Sequence, residues 1–464
     1  MLLALGVGTV SHAAVPDGSI EDFIDHELPV SGAPGLAYAV VRDGAIESFG
    51  ARGVMRIGSD EEVTPDTPFL TGSISKSVTA LAVMQLVEAG RVDLDAEVSS
   101  YLDVFSRRPA GSITIRELLS HTSGYSTLQG NAPHRERAGD RDEIARRVAR
   151  VAELTPAYAP GVHWEYSNVN YLILGRLIEV VSGQDFEAYL ERNILEPAGM
   201  QHSFVADGEV HEAMATGHRP WFGAKRPLAQ SKIDRSAGPQ GGLVASANDL
   251  ALYMRIMLSG EDDILSADGK AMMMRPASDA SPFYGFGWFV DGGRVWHSGA
   301  SPGVETLMTL VPSAREGVVV LVNAGSGTGF GESTQLRNGI TARAIGLEYD
   351  GEGSRWSQRA LFLALTLTPI AFLLCTAWAW RDRATIRSKS GAFGLFSLWF
   401  PLLTTLAGAW IIVEMPRLFG VPISTLRRFQ PDFGLVLIAT AVTGVLWAVL
   451  RLVVAYTGRP RAAL

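Results

Sequence analysis

The sequence predicts a mixed α+β fold: an antiparallel sheet flanked by helices, with a helical subdomain inserted in it and three transmembrane helices after it. Three observations predict this. Strand-like runs stand near both ends of the segment 15–349, so the sheet has to be assembled from the two termini of that segment. Its middle carries apolar residues at helical spacing. After Asp350-Gly351-Glu352-Gly353-Ser354 the composition shifts abruptly to long runs with almost no charge.

Taken in order, Ser19 to Leu28 has the spacing of a short amphipathic helix. Gly35 to Val41 and Ala45 to Phe49 read as two strands joined by a tight turn at Asp43-Gly44, a hairpin at a sheet edge. From Ser73 the chain is apolar on all sides through Val78, Leu81, Met84 and Leu86 to Gly90, the pattern of a buried helix stopped by glycine. A short helix over Ile113 to Ser120 runs into His121-Thr122-Ser123-Gly124. The charged, irregular stretch from there to about Arg150 predicts an exposed excursion. A second long helix, Asn168 to Ser182, is stopped by Gly183. Ser246 and Asp249 have the spacing of a capping box for a helix reaching Leu258. Gly287 to Val290, Arg294 to Ser298, Glu305 to Val311 and Gly317 to Asn323 are strand-like, and a helix over roughly Gln335 to Leu347 would pack on them.

Ala360 to Trp380, Ala392 to Val413 and Phe433 to Leu450 are nearly uncharged, each about long enough to cross the roughly 30 Å hydrocarbon core as a helix. Arg381, Arg383, Arg387 and Lys389 crowd the connection between the first two, and Arg459 and Arg461 follow the third. An excess of basic residues marks the cytoplasmic side, so the segment before Ala360 is expected outside the cytoplasm. At the start, apolar Leu2 to Val10 precedes Ser11-His12-Ala13-Ala14, which looks like a signal-peptidase site without the usual basic flank. Either this is an atypical signal or the true start lies upstream. The expected plan is a signal-like segment over 1–14, a catalytic domain over 15–349, a linker over 350–359, a membrane domain over 360–456 and a cytoplasmic tail over 457–464. A tether of about ten residues reaches at most roughly 35 Å, which favours substrates found near a membrane surface. The single cysteine, Cys375, excludes intrachain disulfides. A formal net charge of -8 gives no case for nucleic-acid binding.

The chemistry centres on Ser73-Ile74-Ser75-Lys76. One helical turn puts Ser73 and Lys76 on one face. A serine hydroxyl attacks a carbonyl only when a neighbouring base takes its proton. The chain has only five lysines, and Lys76 is the one lysine before Lys225. Where arginine is otherwise preferred, a lysine points to chemistry, because a buried lysine can give up its proton and an arginine cannot. By itself Ser-x-x-Lys is also the pattern of a helix-capping serine followed by a solvated lysine.

Two further motifs follow in order, Tyr166-Ser167-Asn168 and, at a strand end, His297-Ser298-Gly299. The three together resemble the serine β-lactamase and penicillin-binding-protein superfamily. The similar branch holds class C β-lactamases, D-alanyl-D-alanine carboxypeptidases, D-amino-acid amidases and related esterases. The resemblance spans roughly Ser19 to Leu347. It includes Leu118-Leu119-Ser120-His121-Thr122-Ser123-Gly124, Ile194-Leu195-Glu196-Pro197-Ala198-Gly199-Met200 and Gly241-Gly242-Leu243. It implies a β-lactamase/transpeptidase-like fold with Ser73 as nucleophile and Lys76 as its proton acceptor or the partner that tunes it. Tyr166 would be the second proton carrier. An unperturbed tyrosine titrates near pH 10, so it acts either as a phenolate favoured by adjacent cations or as a relay that never stands ionised. The resemblance makes Asn168 the orienter of Lys76 and the substrate amide. His297, Ser298 and Gly299 would bind substrate, and the backbone N–H groups of Ser73 and Ala300 would form the oxyanion hole. Acylation and hydrolysis on this plan need neither metal nor organic cofactor. At His297 class C β-lactamases and many penicillin-binding proteins carry lysine, which puts carboxylate recognition in doubt.

His121, in a polar turn, reads as a structural hydrogen-bonding residue. His211, Glu212 and His218 lack the spacing of a helical zinc motif. The expected function is a multi-pass, membrane-anchored, extracytoplasmic serine hydrolase. It would cleave an amide, peptide or ester, with a small molecule or cell-wall peptide as substrate and membrane lipid as its surroundings. The alternatives are a β-lactamase proper and a non-catalytic sensor or scaffold.

Overall fold

Tyr38 and Ala39 belong to opposite faces of one strand, and both faces are covered, so β1 (Gly35–Arg42) is buried along nearly its whole length and reads as a continuous apolar run. The computed structural model describes residues 18–131, 141–229, 232–349, 351 and 355–457. It divides into two compact units that part between Gly353 and Ser354. The signal-like segment at 1–14 lies outside the described residues, as does the tail after Thr457.

In the first unit β1 turns at Asp43-Gly44, both at positive φ, into β2 (Ala45–Gly53). Such a turn matches the twist of the two strands it joins. The sheet is completed by β3 (Phe289–Asp291), β4 (Arg294–Ser301), β5 (Val304–Val311) and β6 (Glu316–Val322). All pairs are antiparallel, in the order β2-β1-β6-β5-β4-β3. The β1–β6 pairing, with Leu36 opposite Val322 and Tyr38 opposite Val320, joins the two ends of the unit as the sequence predicts.

Period-two alternation gives the sheet two cores. Leu36, Tyr38, Val40, Val318, Val320 and Val322 pack with Ile24, Leu336 and Ile340 of the helices Ile20–Ser31 and Ser333–Ala344. Ala37, Ala39, Val41, Val319 and Leu321 face the larger core, with the helices Ser75–Glu88, Asn168–Ser182 and Ala247–Leu258. The Ser75–Glu88 helix is buried on nearly all sides, which is why it has no polar stripe. Asn168–Ser182 ends at Gly183, in the left-handed conformation that suits glycine.

Three expectations need correction. Ser73 does not open an α-helix; it sits in a 3-10 turn, Gly72–Ile74, that leads into one. The stretch before Arg150 is not irregular throughout, because Glu143–Val151 is a helix that buries Ile144, Val148 and Val151. Its apolar residues recur at helical spacing among arginines. Ser246 does cap its helix by accepting the Asp249 N–H at 3.0 Å. Asp249 does not return the bond, since its carboxylate takes the His202 N–H and the Ser203 hydroxyl, each at 2.7 Å.

The second unit holds three helices long and apolar enough to cross a membrane, Trp356–Arg381, Gly391–Leu418 and Pro431–Tyr456. The first opens at Trp356, ahead of the Ala360 expected. Phe372 and Trp447 meet at a tilt, ring centres 5.6 Å apart, between the first and third helices. Most of their large apolar side chains stay exposed within the unit, the pattern a lipid solvent covers.

Leu321 is fully buried between the sheet and the helices. Leu321→Ala is expected to destabilise the first unit by about 2–5 kcal/mol, read as a lower midpoint in thermal unfolding of the detergent-solubilised full chain.

Candidate active site

The turn Gly72–Ile74 is held from three sides. The Ser75 hydroxyl donates to the Gly72 carbonyl at 2.6 Å and accepts the Leu243 N–H at 2.9 Å. Thr71 donates its N–H and its hydroxyl to the Leu243 carbonyl, at 2.9 and 2.8 Å. The Thr306 hydroxyl of β5 donates to the Thr71 carbonyl at 2.7 Å. Two glycines let the turn press against β4. A Cβ on Gly299 would lie 1.9 Å from the Thr71 oxygen, and one on Gly72, at φ 58°, would lie 2.8 Å from the Ala300 nitrogen. The backbones carrying the Ser73 and Ala300 N–H groups therefore run side by side.

Lys76 reaches back from the first turn of its helix, and its Nζ donates to Ser73 Oγ at 3.1 Å and to the Gln240 carbonyl at 2.6 Å. The side chain is wholly buried. Its Nζ lies 4.9 Å from the Tyr166 ring centre and 5.8 Å from that of Tyr171. Among the described residues no carboxylate pairs with it. Burial holds the lysine well below its ordinary pKa.

Tyr166 stands beside this pair. Burial pushes its phenol above the ordinary value, and a hydrogen bond with Ser73 acts in the opposite direction. His297 lies on β4 with its ring centre 6.1 Å from that of Tyr166. Its Nδ1 donates to the Ser298 carbonyl at 2.8 Å, which fixes the tautomer and leaves Nε2 to accept from Tyr284 Oη at 3.3 Å. Burial, with the Lys76 charge second, lowers this imidazole to about 3. Ser298 is half-buried, and Ala300 is exposed. Asn168 opens the helix just after Tyr166-Ser167, and its amide nitrogen donates to Asn131 Oδ1 at 3.1 Å and not to Lys76, whose bonds go to Ser73 and Gln240.

Sequence reading missed one part of this arrangement, the Gln240 carbonyl, while His121 has the structural hydrogen-bonding role expected of it. The Gln240 carbonyl takes a Lys76 proton, and a backbone oxygen has no side-chain signature; only its place before Gly241-Gly242-Leu243 hinted at it. His121 is buried, and its ring lies 4.4 Å from Tyr166. Its Nδ1 accepts the Ser167 N–H at 3.2 Å and pairs with Asn170 Nδ2 at 2.9 Å, while the Ser123 hydroxyl donates to Asn170 Oδ1 at 2.6 Å. The turn carrying Tyr166 is thus fastened to the His121–Gly124 run. Two histidines outside the site have partners of their own. His218 bridges the Asn323 carbonyl and the Ile57 N–H, and His211 meets Asp207 at 3.1 Å. Among the described residues no group of three or more His, Cys, Asp or Glu side chains is placed to hold a metal ion.

Comparison with known proteins bears on the family of the chain. The chain is 32% identical over 326 residues to penicillin-binding protein 4 of Amycolatopsis lactamdurans, covering 64% of this chain and 82% of that one. It is 25% identical over 423 residues to protein flp of Staphylococcus aureus, covering 86% of this chain and 82% of that one. That match is too long to end before the apolar helices. Among solved structures, the octameric penicillin-binding protein homologue from Pyrococcus abyssi superposes with a TM-score of 0.61 at 26% identity, covering 75% of this chain and 81% of that one. A profile of the Beta-lactamase family matches residues 20–341, and with it the chain belongs to the β-lactamase and penicillin-binding-protein superfamily.

Proposed function

We propose that this protein is a membrane-anchored, extracytoplasmic serine hydrolase that cleaves an amide, peptide or ester bond through an acyl-enzyme on Ser73. The observation that carries the reading is the 3.1 Å contact between Ser73 Oγ and a lysine that is fully buried and has no acidic partner among the described residues. Burial that favours the neutral amine makes a lysine better able to accept a proton than an exposed one.

Lys76 takes the Ser73 proton as Oγ forms a bond to the scissile carbonyl carbon, and the carbonyl π pair moves onto oxygen. The N–H groups of Ser73 and Ala300 receive that oxyanion. On collapse the bond to the leaving group breaks, and the leaving atom takes a proton through Tyr166, which regains one from Lys76. Because burial raises the Tyr166 pKa, the relay that never stands ionised is the favoured alternative. Water then repeats the steps on the acyl-enzyme. Asn168, held by Asn131, is assigned to the substrate amide.

A second reading, a non-catalytic sensor or scaffold built on the same cleft, predicts no covalent turnover. The matched relatives include penicillin-binding proteins, and a cell-wall peptide is the ligand such a scaffold would sense. A β-lactamase proper is less favoured, because a neutral His297 offers a β-lactam carboxylate no charge.

Ser73→Ala is expected to abolish turnover and labelling by a fluorophosphonate. Lys76→Arg, which keeps the charge but cannot accept the proton, should lower kcat/KM roughly a hundred- to ten-thousandfold. Near-normal rates in Lys76→Arg would remove lysine as the base, and an unlabelled wild-type Ser73 would favour the scaffold.

The acid limb of kcat/KM should follow Lys76: activity rises with pH as the ammonium loses its proton, and the midpoint lies below the ordinary lysine value. His297 stays neutral down to about 3, so it should add no limb between pH 5 and 8. A limb in that range shifted by His297→Asn would overturn the assignment. Chromogenic cephalosporin turnover should be weak or absent.

The topology follows from the basic connection. In a Cys375→Ser background, a cysteine replacing Asp279 should react with an impermeant thiol reagent in intact cells, and one replacing Arg387 should not. The opposite pattern would invert the arrangement.

A further inference from the structure

The site is flanked by an aromatic wall that the hydrolytic steps do not use. Phe289 of β3 is its hub. Its ring lies 4.4 Å from Trp296, in a stacked arrangement, and 6.2 Å from Trp164. Trp164 in turn lies 4.7 Å from Phe283. The wall is continuous with the chemistry, because Phe289 stacks on Tyr166 at 6.3 Å and meets the His297 ring at 5.4 Å. Phe283 is 43% exposed, and Phe289, Trp296 and Trp164 are all partly open to solvent. None of these four side chains carries a charge, and the ionisable rings against them, Tyr166, Tyr284, His121 and His297, are held in their neutral forms by burial.

We infer that this wall is the subsite for the leaving group, and that the preferred substrates expel an uncharged amine or alcohol bearing an aromatic or comparably flat apolar substituent. The inference rests on the hydrolase reading above and deepens it. Its logic is positional. The group that hands a proton to the leaving atom must lie within hydrogen-bond reach of it, so the leaving group's substituent projects along the flank of Tyr166. Phe289 is stacked on that flank, with Trp296 and Trp164 extending the surface. Rings of this kind favour offset-stacked or edge-on aromatic partners. A carboxylate there would be moved from water onto an apolar surface, and among the described residues no lysine or arginine lies over any of these four rings.

The test compares methyl and benzyl esters of one carboxylic acid, whose alcohols have closely similar acidity, so that intrinsic reactivity does not mask recognition. A 4-carboxybenzyl ester of the same acid serves as the third substrate, and Ser73 labelling by a fluorophosphonate is followed in every preparation of the full chain. Wild type is expected to show a benzyl-to-methyl ratio of kcat/KM of about ten or more, the scale of a modest apolar contact. The 4-carboxybenzyl ester should fall back toward the methyl ester. In Phe289→Ala the ratio should drop toward one, whichever way methyl turnover moves. Phe283→Ser, at a half-exposed position, should reduce the ratio in part and guards against misfolding of the first variant. A labelled enzyme that hydrolyses the methyl ester with a ratio near one, or keeps its ratio in both variants, overturns the subsite while the hydrolase reading stands. Absence of both label and turnover overturns the hydrolase reading and the subsite with it.

Discussion

Much of the first unit follows from keeping one amine out of water. An ammonium in an apolar interior loses hydration that its neighbours must replace, and the shortfall appears as a lowered pKa. At Lys76 the replacement is sparse: one hydroxyl, one backbone carbonyl and the faces of two tyrosines. A carboxylate partner would have held the proton in place. The walls around Lys76 come from the Ser75–Glu88 and Asn168–Ser182 helices and the Gln240 carbonyl, and distant parts of the sequence have to meet for any of them to exist. The β1–β6 pairing closes the sheet against which the helical middle packs.

The second constraint is backbone proximity. An oxyanion hole made of two N–H groups needs two chains closer than side chains normally allow, and Gly72 and Gly299 provide the missing Cβ volume. The cross-links through Thr71, Ser75 and Thr306 hold that approach fixed. Fixed donors stabilise a developing charge without reorganising when it forms. An added methyl at Gly299 would collide with the Thr71 oxygen, so the same residue serves packing and the proposed chemistry.

How much of this is legible in the chain depends on whether a feature has a local signature. The Asp43-Gly44 turn, the Gly183 stop and the apolar run after Ser73 announce themselves because backbone conformation and burial are encoded within a few residues. Lys76 stands out because lysine is scarce. The Glu143–Val151 helix is hidden by its three arginines, which match in number the three apolar residues it buries, Ile144, Val148 and Val151. The roles of Gln240 and Asn131 are set by contacts with residues far along the chain, one of them through a carbonyl that every residue possesses. Asp249 has the spacing of a reciprocal cap, but nothing local reveals that His202 and Ser203 claim its carboxylate.

Charge ties the site together. Lys76, His121 and His297 are all buried, and each histidine is held below its ordinary pKa first by burial and then by the lysine charge. Three basic groups in one dry cluster oppose each other's protonation, so the cluster favours one positive charge at a time. In the mechanism proposed above, the charge formed when Ser73 gives up its proton belongs on Lys76, whose ordinary pKa is far above that of an imidazole. His297 is further committed, since its Nδ1 proton is fixed on the Ser298 carbonyl and its Nε2 faces Tyr284. A histidine in place of lysine at this strand end therefore has two linked effects. On the proposed mechanism it withdraws a cation from the substrate side of the cleft, and it leaves Lys76 as the group in the cluster best placed to take up and return the proton of Ser73.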